Sequence, residues 1–166
     1  MTKPWLKSGD KMKQGTIAFL VHESYKDLVS EETLIPAVEA TFVEGRVLDS
    51  PSITVLISDD EHLKVMNLRY RGIDKATDVL AFDAGFDDPD LETRYLGDVV
   101  ISFQQAQKQA ETLGHKVEEE LQLLVVHGVL HLLGFDHDTN VRKKEMWSIQ
   151  TQVLAELGIE INIEDV

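Results

Sequence analysis

Residues 121–137 read LQLLVVHGVLHLLGFDH, a nearly continuous apolar run that contains three histidines. Apolar residues at almost every position predict a helix over about residues 117–133 that is buried on all sides. We expect Gly134 to end this helix, because glycine readily adopts the left-handed conformation that commonly follows a helix C-terminus. The stretch therefore predicts the central helix of a packed core, in which the histidine rings are buried.

The three histidines are spaced as metal ligands. His127 and His131 are four residues apart, so on a helix they lie on one face, one turn apart. A turn at Gly134 would bring His137 back towards them, and three imidazoles leave a tetrahedral zinc ion with the open position of a catalytic site. A histidine pair alone is more often two hydrogen-bonded core residues, but the glycine and the third histidine favour a site. We predict a Zn²⁺ site with ligands His127, His131 and His137, and nickel or another metal that imidazole suits stays open.

The composition restricts the kind of protein and the kind of site. The 166 residues point to one domain, and 43% of them are apolar, which is enough for a sizeable core. The absence of cysteine excludes disulfides, thiolate zinc fingers and cysteine nucleophiles. The net charge of −14 argues against non-specific nucleic-acid binding, although a local basic cluster can override a global sum. No apolar run approaches the roughly 20 residues that cross a bilayer, so we expect a cytoplasmic protein with no membrane partner.

The order of the predicted elements indicates an α+β fold. The polar residues 1–14 are expected to form a flexible N-terminal arm, and residues 15–166 a single domain. Pro36 is expected close to the start of its helix, and Asp138 at the N-cap of the last helix. Strands are predicted at about 15–21, 52–58, 77–82 and 96–103, helices at about 30–44, 60–70, 104–113, 117–133 and 139–157, and an acidic loop at 83–93. We therefore predict a small mixed β-sheet packed with helices, with the three-histidine metal site at the end of the buried helix.

Four segments together resemble the YbeY family of bacterial endoribonucleases. HGVLHLLGFDH (127–137) is similar to the family's H-G-x-L-H-L-x-G-[YF]-D-H signature. NLRYR (67–71), TDVLAF (77–82) and LGDVVIS (96–102) are similar to three further family motifs, in the same order. One departure is visible, because Ala81 stands where the family usually has serine.

The resemblance implies a single-strand-specific, metal-dependent endoribonuclease. It implies that the RNA partner is a ribosomal RNA precursor, with a role in maturing the 3′ end of the small-subunit RNA and in ribosome quality control. Proteins of the small ribosomal subunit are further candidate partners. Catalysis is assigned to Arg71, which matches the motif arginine, and to His127; Arg71 and Tyr70 are expected to bind substrate. A surface role at a helix end for Arg71, and a core role for Tyr70, are the alternatives.

Charged residues around these motifs leave two interpretations open. Asp98 and Asp136 are expected either to orient a ligand histidine by bonding the side of its ring away from the metal, or to cap or bridge backbone groups. Lys64, Arg69, Arg71 and Lys75 lie within twelve residues and form either a local basic patch or a solvated helix face. His22, His62 and His115 are interpreted as surface or structural residues.

Two other functional classes remain in competition. A metallopeptidase fits the histidine spacing, but Gly128 stands where zinc proteases carry their general base glutamate. A ribosome-associated protein with a structural metal would require a fourth protein ligand, for which Asp136 or Asp138 is available. The oligomeric state is not predicted.

Overall fold

Four strands and five α-helices make up the described part of the chain, which in the computed structural model comprises residues 15–84 and 92–161. The strands are β1 (Ile17–Val21), β2 (Ser52–Ser58), β3 (Val79–Asp83) and β4 (Tyr95–Ser102). The helices are α1 (Glu31–Glu44), α2 (Asp60–Arg71), α3 (Phe103–Leu113), α4 (Val117–Leu132) and α5 (Asn140–Glu156). The predicted N-terminal arm (1–14) and most of the predicted acidic loop lie outside the described residues.

The sheet is small and mixed, which confirms the predicted α+β class. Its strand order is β1-β2-β4-β3, with β1, β2 and β4 parallel and β3 antiparallel to β4. Strand β3 therefore lies at one edge of the sheet. This edge runs beside α4, so main chain and helix together form the walls of the site described below.

The two faces of the sheet carry different cores, because alternate side chains of a strand point to opposite faces. The larger core contains Val55 and Val99 and packs against α1 and α4. The smaller core contains Leu80 and Val100 and packs against Leu63 of α2. A residue on β3 or β4 therefore faces either α4 or α2, and its position in the strand decides which.

Helix α4 is the central helix that its apolar run predicts. Its apolar side chains are buried almost throughout, and α1, α3 and α5 all pack against it. It comes so close to the sheet at Gly128 that a Cβ added there would lie 2.6 Å from a methyl carbon of Val99. Burial on all sides explains why this helix lacks a polar face.

The predicted starts of α1 and α5 agree with the structure within one residue, but two details at these starts are wrong. Helix α1 begins at Glu31, so Pro36 lies inside it, one turn beyond the position where a missing N–H costs nothing. Pro36 is exposed on the outer side of the helix, where water can solvate the carbonyl that it leaves unpaired. The N-cap of α5 is Thr139 rather than Asp138, because the Thr139 side chain accepts the hydrogen bond from the Arg142 N–H.

The described helices are all too short or too polar to cross a membrane.

Candidate metal centre

The end of α4 and the turn after it bring three imidazoles together. His127 and His131 lie one helical turn apart, with 3.1 Å between their Nε2 atoms. Gly134 follows the helix with a φ of 94°, a conformation that favours glycine, and the Phe135 N–H donates back to the Leu130 carbonyl. This turn returns His137, so that one nitrogen from each ring lies within 4.8 Å of the other two.

The donor set and its spacing fit a metal ion. Two nitrogens bound to one tetrahedral zinc at about 2.0–2.1 Å lie roughly 3.3 Å apart, close to the 3.1 Å between the His127 and His131 Nε2 atoms. Within the described ranges, no carboxylate joins the three histidines to close a fourth position. The described arrangement is therefore that of an open three-nitrogen site, and zinc is one of several metals that such a site suits.

Burial keeps the two helical histidines neutral, which is the form that can bind a metal. Burial, together with the neighbouring His131, lowers the pKa of His127 to about 4. Burial also lowers the pKa of His131, and His137 contributes in the same direction. Both rings consequently offer a free nitrogen lone pair at neutral pH.

Two side chains of helix α5 contact the His127 ring. The Gln150 Oε1 lies 3.1 Å from the His127 Nδ1, on the side of the ring away from His131. The Trp147 ring meets His127 and His137 edge-on, at centroid distances of 6.1 Å and 5.6 Å. Gln150 was missed from sequence; the available signal was a polar residue between the apolar positions Met146 and Val153 of α5.

The histidines open onto a cleft of about 760 Å³, a size typical of ligand sites. One wall is the edge strand β3, including Ala81, together with Asp78 just before it, and another is the last turn of α2. Because Ala81 replaces the serine of the resembling motif, this wall lacks that hydroxyl. The Asp78 carboxylate accepts from the Val79 N–H and from Gln109, which anchors the start of the wall.

Three further residues that the sequence analysis singled out line the same cleft. Arg71 is exposed in the last turn of α2, and Tyr70 beside it is 58% exposed with its ring 5.0 Å from Phe82. The Asp136 carboxylate accepts a 2.7 Å hydrogen bond from the His137 N–H, and this bond lowers the pKa of Asp136. Asp136 thus bonds the backbone of the turn that presents His137.

Asp98 is not brought to the histidines. It pairs with Phe82 and Thr54 in the sheet register and accepts a hydrogen bond from the Tyr95 hydroxyl. Its neighbour Val99 faces Gly128 of α4, so Asp98 points to the opposite face of the sheet. Its described partner is the Tyr95 hydroxyl, which also bonds the Thr54 hydroxyl.

The remaining candidate residues are dispersed. Of the four basic residues considered as a patch, only Arg71 lines the cleft; Lys64 lies 3.7 Å from Asp74, and the Arg69 guanidinium lies over the Tyr70 ring. Asp138 forms an ion pair with Arg142. The other histidines contact different groups: His22 caps a short 3-10 helix, His62 bonds Ser58, and His115 bonds Glu120.

The chain is similar to known proteins in sequence and in fold. Residues 17–158 match the family model described as Endoribonuclease YbeY. Endoribonuclease YbeY of Roseiflexus sp. (strain RS-1) is 38% identical over 150 residues, which is 87% of this chain and 94% of that protein. The same enzyme of Roseiflexus castenholzii is 42% identical over 137 residues, covering 79% and 86%. The solution structure of a Thermotoga maritima protein has a similar fold, with a TM-score of 0.57 at 24% identity over 86% of this chain and 89% of that one.

Proposed function

The chain belongs to the YbeY family of endoribonucleases, and from this we propose that it is a metal-dependent endoribonuclease that cleaves single-stranded RNA. The observation that carries the proposal is the cluster of three imidazoles in the lining of a cleft that also contains Arg71. We propose zinc as the metal, held by His127, His131 and His137. When bound, such an ion supplies a Lewis acid and lowers the pKa of a water molecule towards neutrality.

Arg71 is the residue that we propose to hold the RNA phosphate. Its planar guanidinium offers paired donors to two phosphoryl oxygens, and these bonds strengthen as negative charge builds on the oxygens during cleavage. Its position at the rim, with the histidines below, is consistent with a phosphodiester lying between them. His127 is proposed to act in catalysis through the metal that it holds.

Tyr70 supports a preference for single strands. Its exposed ring at the rim offers a face on which a base can stack, and only an unpaired base can leave its own stack to do so. A base stacked there would lie near the phosphate that Arg71 contacts, since both side chains line the same cleft.

The proposed biological role follows from the family resemblance. We propose a cytoplasmic enzyme whose substrate is a ribosomal RNA precursor, and which matures the 3′ end of the small-subunit RNA and acts in ribosome quality control. Proteins of the small subunit are the partners that would bring this RNA to the cleft.

The two competing functions receive less support. Position 128, where a zinc peptidase carries its base, packs against Val99, and any side chain there would clash with the sheet. A structural metal would need a fourth protein ligand, whereas Asp136 and Asp138 bond a backbone N–H and Arg142 respectively.

The test is metal content measured together with cleavage of a single-stranded RNA, for the wild type, His131→Ala and His22→Ala. We expect about one zinc per chain in the wild type, with both metal and cleavage lost in His131→Ala. His22 is exposed and outside the cleft, so His22→Ala should retain both. Cleavage that persists in His131→Ala without metal would show that the activity does not come from this site, and would contradict the proposal.

A further inference from the structure

The Gln150 side chain is a buried polar group that contacts the candidate metal centre from a different helix. It is 1% exposed, although its neighbours along the inner face of α5, Met146 and Val153, are apolar and fully buried. A buried amide is retained where it has a specific hydrogen-bond partner. The partner of its Oε1 is the Nδ1 of His127, at 3.1 Å.

A neutral imidazole carries one proton, and its position determines which nitrogen can bind a metal. The Nε2 atoms of His127 and His131 face each other, so Nε2 is the nitrogen that His127 would present to an ion. The proton must then lie on Nδ1, where it needs an acceptor. An amide oxygen is an acceptor and cannot supply a proton, whereas the amide nitrogen in its place would donate and force the proton onto Nε2.

We infer that Gln150 is a positioning residue for the metal centre: its Oε1 accepts the His127 Nδ1–H and so directs the Nε2 lone pair of His127 at the ion. This inference rests on the metal site of the proposed function, but not on the RNA substrate. The Trp147 ring, one turn before Gln150 on α5, meets the edge of the same imidazole and limits its rotation. The turn that carries His137 also leads into α5, so one segment of chain delivers both the third imidazole and the group that orients the first.

The test measures zinc affinity of the metal-free full-length protein by competition with a chromophoric chelator at neutral pH. Gln150→Met keeps the volume of the side chain but removes the acceptor, and we expect about 10- to 100-fold weaker zinc binding. Gln150→Glu keeps an acceptor and, in its ionised form, offers no donor, so it should bind zinc at least as tightly as the wild type. Comparing these two variants distinguishes an effect of the accepting oxygen from an effect of the amide nitrogen or of side-chain packing.

Gln152 provides the matched control, because it is an exposed glutamine on the same helix. Gln152→Met and Gln152→Glu make the same chemical changes and should leave zinc affinity within about twofold of the wild type. Nitrogen-15 NMR of the His127 ring in the metal-free wild type gives a second readout, which does not depend on any variant folding. We expect its proton on Nδ1.

Three results would overturn the inference: equal zinc affinity in Gln150→Met and the wild type, affinity as weak in Gln150→Glu as in Gln150→Met, or a His127 proton on Nε2. A wild type that binds no zinc would overturn it together with the proposed metal dependence. Zinc affinities that change as expected in a protein that cleaves no RNA would support Gln150 as a positioning residue and reject the endoribonuclease proposal alone.

Discussion

Among the described residues, Arg71 is the only arginine or lysine that lines the cleft. Gly72 follows it in a left-handed conformation and ends α2, so the arginine projects from the final turn rather than from the middle of a helix face. Burial lowers the pKa of His131 most, and the charge of Arg71 contributes least in the same direction. Arg69, two residues earlier, lies over the Tyr70 ring instead.

Replacing Arg71 by alanine should therefore lower kcat/KM for single-stranded RNA by about 100- to 1,000-fold, the effect of removing one preorganised donor to developing charge. The zinc content should not change, because the arginine does not belong to the three-histidine cluster. Arg71→Lys should retain more kcat/KM than Arg71→Ala, because lysine keeps the positive charge, but less than the wild type, because it lacks the planar pair of donors.

Lys64→Ala is the control, because Lys64 is on the same helix but lies outside the cleft, 3.7 Å from Asp74. We expect it to change kcat/KM by less than about fivefold, as for an exposed cation. Loss of zinc in parallel with loss of activity in Arg71→Ala would mean that the arginine supports the fold, and would reject its substrate role.

The contact between α4 and β4 sets the position of the metal centre relative to the cleft wall. Gly128 lies between the two ligand histidines of α4, and the nearest side-chain atoms to an added Cβ belong to Val99, at 2.6 Å and 3.1 Å. The next nearest is a Val79 methyl carbon at an ordinary 3.4 Å. A glycine is thus required here for close approach of helix and sheet.

Gly128→Ala should lower the free energy of unfolding in the wild-type protein. Overpacking against a buried valine costs about 1–3 kcal/mol, and replacing glycine inside a helix gains about 1 kcal/mol, so the expected net loss is up to about 2 kcal/mol. In a Val99→Ala background the clash is removed, so the same change should stabilise the protein by about 1 kcal/mol. Urea unfolding of the four proteins measures both effects, and the same sign in both backgrounds would show that the contact does not control this position.

At the scale of the whole molecule, the buried neutral histidines link folding to pH. In the unfolded chain a histidine has its ordinary pKa of about 6.5, whereas burial lowers the pKa of His127 in the folded protein to about 4. Between these two values the unfolded state binds the proton and the folded state does not. Stability must therefore fall as the pH falls through this window.

For the metal-free protein, we expect the His127 contribution to reduce the free energy of unfolding by up to about 3 kcal/mol between pH 6.5 and pH 4, at 1.36 kcal/mol per pKa unit. Denaturant unfolding across this range, compared between the wild type and His127→Gln, isolates this contribution from that of the acidic residues. The variant should show a shallower dependence on pH, with a remainder from His131. Identical slopes would indicate that His127 is charged in the folded protein or titrates normally.

Local spacing along the chain was sufficient to predict the elements and the cluster of three histidines. The apolar run of α4, the four-residue interval between His127 and His131, and the turn at Gly134 all act within a few residues of each other. The strands and helices of the small mixed sheet likewise followed from the periodicity of apolar residues and from turn residues. Such features depend on backbone geometry that neighbouring residues largely determine.

Tertiary structure alone decided which side chains meet across elements. Gln150 reaches His127 over a separation of 23 residues, and only the packing of α5 on α4 creates that contact. Orienting a ligand histidine was one of the two roles considered for Asp98. A shift of one residue in a strand reverses the face to which a side chain points, and this strand presents Val99 to α4 instead. From the sequence, Gly128 mattered because it stands where zinc proteases carry their general base glutamate. In the structure, it is a position at which α4 closely approaches Val99 of β4. Pairing register and helix approach are properties of the assembled core, which is why the composition and spacing of single segments could not supply them.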